Sequence, residues 1–497
     1  MTTTLLFLLA TFLVSCCLRF RNVVQPGWTS RRKIPQPRQR CWLSRLFHEP
    51  NGFELEQWSR EVPHDGVIRY FGLLNEERLF ATSPQAVKDL LGPGTYKFVK
   101  PKLQFDLSAN VAARGLVLLE GQEHKDVKRC LQPAFKPSRI GEVHPIAWKY
   151  TCKSVERIVS SIKDGRVKIL RDIQATTLET MGMWAFSTEL GALRKHQSRF
   201  ARYYTGLFRA TKHGQRALTL ASIIGPRIMM ALPLRASKTM AYVASHVRDT
   251  LDNIVADREL EHQKSGTDKK RTHDFLDTLI ASKELSHEHI VDESVHFLVA
   301  AAEMPAIMVS WAIHLLSRHP EVQRRLRREV QAHLAGKTPN KLDELPYLNA
   351  VLDETLRIHH LDTVLWRQAA EQTSLAEVPV HAGVKVVWSP WVLNRDEQYW
   401  GADADVFKPD RWLESSQEKR FPGCFSNVNF GTGPRRCIGE QYGRAVARSM
   451  IAGCVNRLHF SPVDAASSTN IGMEIGCSPP ISFFKVLDGW ELEARVI

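Results

Sequence analysis

The sequence contains no C-x-x-C pair, and its nine cysteines are odd in number and irregular in spacing. This argues against a disulfide framework and against a zinc module, and points to a reducing compartment. No Asn-x-Ser/Thr sequon occurs, in keeping with a body that stays in the cytosol. No repeat is visible and no Gly/Ser linker divides residues 46–497, so a single large domain is expected. A long basic run is also missing. Lys+Arg is 67 against 53 Asp+Glu, a formal charge of +14, yet the bases are spread along helical stretches. Nucleic acid is therefore not expected as a partner; a solvated basic surface is the first reading, and an acidic protein or an anionic membrane surface as partner comes next. With 43% hydrophobic and 24% charged residues, the composition excludes a disordered, collagen-like or polytopic membrane chain.

Charge is absent altogether from Thr2–Leu18, where Leu5, Leu6, Phe7, Leu8, Leu9, Phe12, Leu13 and Val14 supply an apolar run. Arg19 and Arg21 close it. A spanning helix needs roughly 17–25 residues, so the run sits at the short limit that a thin endoplasmic-reticulum bilayer tolerates best. Basic residues follow the run and none precede it. The positive-inside rule then leaves the C-terminal body in the cytosol, and the flanks do not suit a cleaved signal. Residues 1–24 are read as a single-pass membrane anchor, with a helix over about 2–20. Residues 25–45, with Pro26, Pro35 and Pro37 among bases, are read as a stiff hinge, because proline cannot continue a helix.

The remainder, 46–497, reads as mainly α with small β-sheets. Helical periodicity dominates from about residue 140 to 360. Strand patterns are few: Val67–Phe71, Arg78–Ala81, Val378–Val380 and Val384–Val387. The polar segment Arg258–Arg271 reads as a surface loop. The longest helix pattern runs from Ser286, a suitable N-cap, to Arg318. Its middle is apolar nearly all round and should cross the interior. Glu303 and Pro305 interrupt it. A buried carboxylate needs a partner or a task, and the proline should bend the axis.

Near the C-terminus stands Phe430-Gly-Thr-Gly433-Pro-Arg435-Arg-Cys437-Ile-Gly439. Here the sequence resembles the cytochrome P-450 family, whose haem-ligand loop reads F-x-x-G-x-R-x-C-x-G. Five fixed residues arise by chance in a chain this long at on the order of 10⁻⁴, so the match is specific. A thiolate at Cys437 would push electron density onto iron. Gly433 and Gly439 would let backbone amides approach the sulfur, Phe430 would shield it, and Arg435 would suit a haem propionate. Other marks follow the family's order. Glu354-Thr-Leu-Arg357 matches E-x-x-R, a pair one helical turn apart. Phe407-Lys-Pro409-Asp-Arg411 resembles the segment whose arginine joins that pair and braces the fold. Arg367 matches an arginine that reaches a propionate.

Three places depart from the family pattern. A Trp-x-x-x-Arg pair is replaced by His124 and Lys128, which keep the i, i+4 spacing toward the propionates, although Lys lacks the arginine fork. The motif A/G-G-x-D/E-T-T/S is replaced by Ala300-Ala301-Ala302-Glu303-Met304-Pro305. The acid stays and both hydroxyls are gone; Met304 offers no proton donor. After Arg357, the family's pocket-lining stretch carries Asp362 and Thr363, which face substrate if the register holds or pair with a neighbouring base if it does not.

The resemblance implies a cytochrome P-450 fold and a haem b-dependent monooxygenase. It implies O₂ and electrons from NADPH through NADPH–cytochrome P-450 reductase, whose acidic face suits a basic protein. The wording is closest to membrane-bound enzymes of filamentous fungi, so the expected substrate is an apolar secondary-metabolite intermediate. Cys437 is the expected metal ligand, and Glu303, Met304 and Asp362 the expected catalytic positions. The missing hydroxyls leave a second reading open, a haem-thiolate isomerase, dehydratase or cyclase that does not activate O₂.

Overall fold

The structure is a computed structural model. It describes residues 33–39, 41–45, 48–102, 113–207, 235–265, 274–335, 341–413, 428–463, 472–475, 483–486 and 490–497. The expected anchor, 1–24, lies outside the described residues. In chain order the longer helices are α1 Gly52–Glu61, α2 Pro84–Leu91, α3 Gly121–Leu131, α4 Val143–Ser161, α5 Leu170–Phe186, α6 Arg199–Leu207, α7 Arg235–Ser265, α8 Phe275–Ser282, α9 His287–Arg318, α10 Pro320–Leu334, α11 Pro346–Ile358 and α12 Glu440–Arg457. The strands are β1 Val67–Phe71, β2 Glu77–Ala81, β3 Phe98–Val99, β4 Arg166–Val167, β5 Leu365–Ala369, β6 Thr373–Leu375, β7 Val378–Val380, β8 Lys385–Trp388, β9 Leu458–Pro462, β10 Gly472–Ile475, β11 Phe483–Val486 and β12 Leu492–Val496. The chain is therefore mainly helical with small sheets. It divides into two compact units, each drawn from separated segments.

The first unit is built on a sheet of order β1-β2-β8-β5-β3. β2 and β8 run parallel, and the other pairs run antiparallel. β1 is buried along its whole length. Its outer edge is covered by residues 33–39. The Arg69 N–H donates to the Pro35 carbonyl at 2.8 Å, and the Gln39 side chain exchanges two 2.8 Å bonds with the Phe71 backbone. Proline-containing chain laid on a strand edge satisfies some of its free backbone groups and blocks further pairing. β6 and β7 form a hairpin whose two turn residues, Ala376 and Glu377, take positive φ of 45° and 66°. That is the turn matching strand twist.

The second unit is helical and centred on α9. Ser286 caps it, its hydroxyl accepting from the His289 N–H at 3.3 Å. From Ala302 to Ser317 every residue but Met304 is buried. A helix apolar on every side is stable only when covered on every side. α9 packs against α5 and α12, and α12 packs in turn on α4. Burying a side chain such as Ile313 or Leu316 contributes roughly 1.5–3 kcal/mol. Among the described residues α9 is the helix long and apolar enough to cross a membrane, but most of that stretch is buried in this unit. Pro305 lies within the helix, where it cannot donate to the Ala301 carbonyl. Two small sheets, β4-β12-β9 and β10-β11, complete the unit.

One expectation is corrected. Residues 258–265 are not loop; they are the last two turns of α7. Arg258 reaches Asp274 and Asp277 at 2.9 Å and the Phe186 carbonyl at 3.0 Å, while His262 meets Asp277 at 2.7 Å. These ties hold a polar helix end that has no apolar stripe to announce it.

Candidate active site

The cysteine loop joins α12 at its N-terminus. The Cys437 N–H donates to the Phe430 carbonyl at 2.8 Å, closing the loop at its base. The Gly439 N–H points at the Cys437 sulfur, and Lys128 and Arg436 place positive charge near it. Burial nevertheless dominates and pushes the thiol up to about 11. The residue is nonetheless exposed to solvent, where a structural cysteine such as Cys454 is covered.

Phe430 is buried, and the Arg444 guanidinium stands 5.0 Å from its ring. Arg444 also pairs with Asp353 at 2.7 Å and Glu440 at 3.3 Å, and Glu440 pairs with Arg436 at 2.8 Å. This chain of charges fixes the first turn of α12 behind the sulfur. The glycines prove unlike one another. Gly433 has φ +65°, and a Cβ there would meet the Leu91 carbonyl at 2.3 Å, so only glycine fits. A Cβ at Gly439 would touch only Phe135, at 4.0 Å.

The E-x-x-R pair forms as the sequence implied. Glu354 and Arg357 are wholly buried and bond at 2.8 Å through both guanidinium nitrogens of the fork. Arg411 joins Glu354 at 2.9 Å, and Lys408 N–H and the Trp412 indole complete the carboxylate's shell.

On α3, Lys128 and His124 differ in exposure. His124 is buried at 4% exposure. Lys128 is half-buried, with its ammonium 3.4 Å from the Arg436 carbonyl and close enough to act on the Cys437 thiol. On α9, Glu303 is buried at 3% exposure, while Val299, Ala300, Ala301 and Met304 form a half-buried stretch in the covered middle of the helix. Met304 is thus more accessible than the acid beside it. Two phenols missed by sequence reasoning lie near. Tyr204, whose hydroxyl reaches the Leu298 carbonyl at 3.4 Å, is raised well above its usual pKa by burial, then by Glu303 and Tyr442. The Tyr442 hydroxyl is buried with no hydrogen-bond partner among the described residues. Nothing in the motif singles out either tyrosine.

In the first unit, Arg435 ends a short turn with its guanidinium 5.0 Å from the Tyr96 ring. Arg367 lies on β5, half-buried, and donates to the Trp366 carbonyl at 2.7 Å. Asp362 lies just before β5; burial pushes its carboxyl up to about 7. Thr363 is covered at 1% exposure, and its carbonyl accepts from Ser389 at 2.6 Å.

The cytochrome P450 family model matches residues 45–483. The chain belongs to the cytochrome P450 family. Cytochrome P450 monooxygenase sphH of Aspergillus fumigatus is 27% identical, across 93% of this chain and 89% of its own. Cytochrome P450 monooxygenase FUM15 of Gibberella moniliformis is 27% identical, across 96% and 88%. Cytochrome P450 monooxygenase FSL4 of Gibberella zeae is 28% identical, across 89% and 85%. The chain is thus an oxidoreductase of the P450 monooxygenase type. Its family binds haem through a cysteine thiolate, and Cys437 is the residue here with the surroundings for it.

Proposed function

We propose that this P450 oxidises an apolar small molecule of fungal secondary metabolism. Electrons come from NADPH through a membrane-bound reductase. The anchor, residues 1–24, holds the enzyme on the endoplasmic-reticulum membrane with its body in the cytosol. The observation that carries the chemistry is the Cys437 loop, an exposed cysteine with a backbone N–H on its sulfur and two cations beside it. The organisms of the relatives support a fungal host. The +14 charge suits an acidic electron donor.

Cys437 would hold the haem iron, with Lys128, close to its thiol in the same unit, as a cation for a propionate; the family resemblance assigns the same task to Arg435 and Arg367. Bound there, thiolate-ligated haem supplies the activation of O₂. The residues themselves do the following. Burial, reinforced by the Glu440 carboxylate, keeps the thiol protonated near neutral pH; the Gly439 N–H, Lys128 and Arg436 offset part of that cost, so a cation at the sulfur would displace the proton. Phe430 keeps water from the back of the loop. On the other side Met304 cannot donate a proton. Delivery there falls to an ordered water near Glu303 or to a substrate hydroxyl.

The test is spectral and kinetic. The reduced protein with carbon monoxide should show the thiolate band, and Cys437→Ala should lose both band and turnover. Product formation should require NADPH and reductase together. Turnover that needs neither would overturn the monooxygenase reading in favour of isomerase, dehydratase or cyclase chemistry.

A further inference from the structure

The segment leading into α3 is seated on one turn of α9. The Glu293 carboxylate, 2% exposed, accepts from the Leu116 backbone N–H at 3.1 Å. One turn along the same helix, His296 lies so close to Gly115 that a Cβ at 115 would fall 2.3 Å from the His296 Cβ. The following residue, Phe297, holds the other end. Its ring is 5.5 Å from Phe135, just past the C-terminus of α3, and 4.9 Å from Phe275 on α8. Cys130 and Arg129, in the last turn of α3, both reach Glu284 at 3.3 Å. So α3 itself packs on α8, while the chain leading into it is tied to α9 by Glu293 and His296 and the chain just after it by Phe297. Between the ties stands Lys128, the cation beside Cys437.

We propose that Glu293, with the His296–Gly115 contact, is a positioning clamp that sets where α3 lies along α9 and thereby holds Lys128 in place for a haem propionate. Both act through α3. The physical case is one of leverage. A carboxyl group buried in the middle of α9 is costly unless it is used, and here it is used on a backbone donor 177 positions away. That donor sits in a lead-in which no strand ladder or long helix secures. The contact at Gly115 fixes the approach distance, because the backbone there cannot carry a side chain. Helix phase and height are then set together, which one contact alone would not do. The inference rests on the reading that Lys128 faces a propionate.

The experiment measures haem transfer from the full-length holoenzyme to apomyoglobin. Glu293→Ala and Leu116→Pro each remove one partner of the bond. Proline is tolerated at position 116, the first residue of a short 3-10 turn after an extended Gly115. Each variant should speed haem release on the order of five- to tenfold, the size of one lost buried hydrogen bond. Glu293→Gln keeps an acceptor and should restore the slow rate. The same changes made on a Lys128→Ala background should add less than about twofold, because residues acting through one another are not additive. Full additivity on that background would overturn the clamp and leave Glu293 a purely structural residue. Unchanged release in Lys128→Ala alone would instead overturn the propionate reading, which separates the two failures. Should Glu293→Ala not fold, Leu116→Pro and Glu293→Gln carry the comparison.

Discussion

Arg411→Met tests how much the buried charge network behind the cysteine loop contributes. Glu354 is wholly buried and accepts five hydrogen bonds, from Arg357 Nε and Nη2, Arg411 Nε, the Lys408 N–H and the Trp412 indole. Arg411 also bonds the Asp403 carboxylate at 3.2 Å and its carbonyl at 3.0 Å. Asp403 is partly exposed and also pairs with the Lys408 ammonium at 3.2 Å, so the wholly buried partner that Arg411 serves is Glu354. Methionine fills most of the volume but leaves the Glu354 carboxylate with Arg357 as its one remaining charge partner and a lost N–H bond that no water replaces. Removing one partner from a buried pair costs about 3–5 kcal/mol. Arg411→Lys keeps the charge and loses the fork, so a smaller loss of about 2 kcal/mol is expected. Glu354→Gln with Arg411→Met removes the buried carboxylate together with its second arginine and should recover part of the loss. The assay is urea denaturation of the holoenzyme, followed at the haem band and by far-ultraviolet dichroism. A loss within 1 kcal/mol for Arg411→Met would refute the reasoning, and so would a double variant worse than the sum of the singles.

Met304→Thr puts a hydroxyl on the half-buried stretch of α9. If an absent donor costs a factor of about 10²–10⁴ in proton delivery, the change should raise product formed per NADPH and lower peroxide release in a coupled assay. Deleting residues 1–24 should shift the protein from the membrane pellet to the supernatant on fractionation, at least in part. Burial holds Glu293 at about 8 against an ordinary 4.5. The folded state therefore carries an extra proton between those values, and stability should fall as pH rises from roughly 4.5 to 8, by at most about 5 kcal/mol. Glu293→Gln should remove that part of the slope, measured as the difference between the two denaturation profiles across pH.

The sequence was most legible where chemistry and local pattern coincide. The Cys437 loop, the Glu354–Arg357–Arg411 network and the Ser286-capped helix all follow from residue type and spacing. β1 and β7 match their patterns, and β2 and β8 lie within a residue of them. β5 was not read as a strand, and β9 and β12 were missed. Leu458–Pro462 and Leu492–Val496 are short and pair only with each other and with β4, so their periodicity carries little until the fold supplies partners. The end of α7 was read as loop for the opposite reason. Its residues are polar all round, and its order comes from Arg258 and His262 reaching acids on another element.

Glu293 shows why the rest of the site escaped the same reading. Attention to an acid in α9 went to Glu303, because the motif around it could be compared with a pattern. Glu293 and His296 are an equally polar pair, set one turn apart on the apolar helix, but their meaning depends on Gly115 and Leu116, which no local window contains. A buried ionisable group that interrupts an apolar helix marks a long-range contact whether or not a motif surrounds it. Applied evenly along α9, that rule selects Glu293, His296, Glu303 and His314 together. The structure then divides them. His314 is held near 4 by burial and is neutral. Glu303 lies in electrostatic reach of Tyr204 beside the half-buried Met304. Glu293 and His296 hold the segment that leads to Lys128. The polar interruptions of α9 thus fall, from N- to C-terminus, into one pair that positions the cofactor's cation, one acid beside the reacting face, and one residue that only packs.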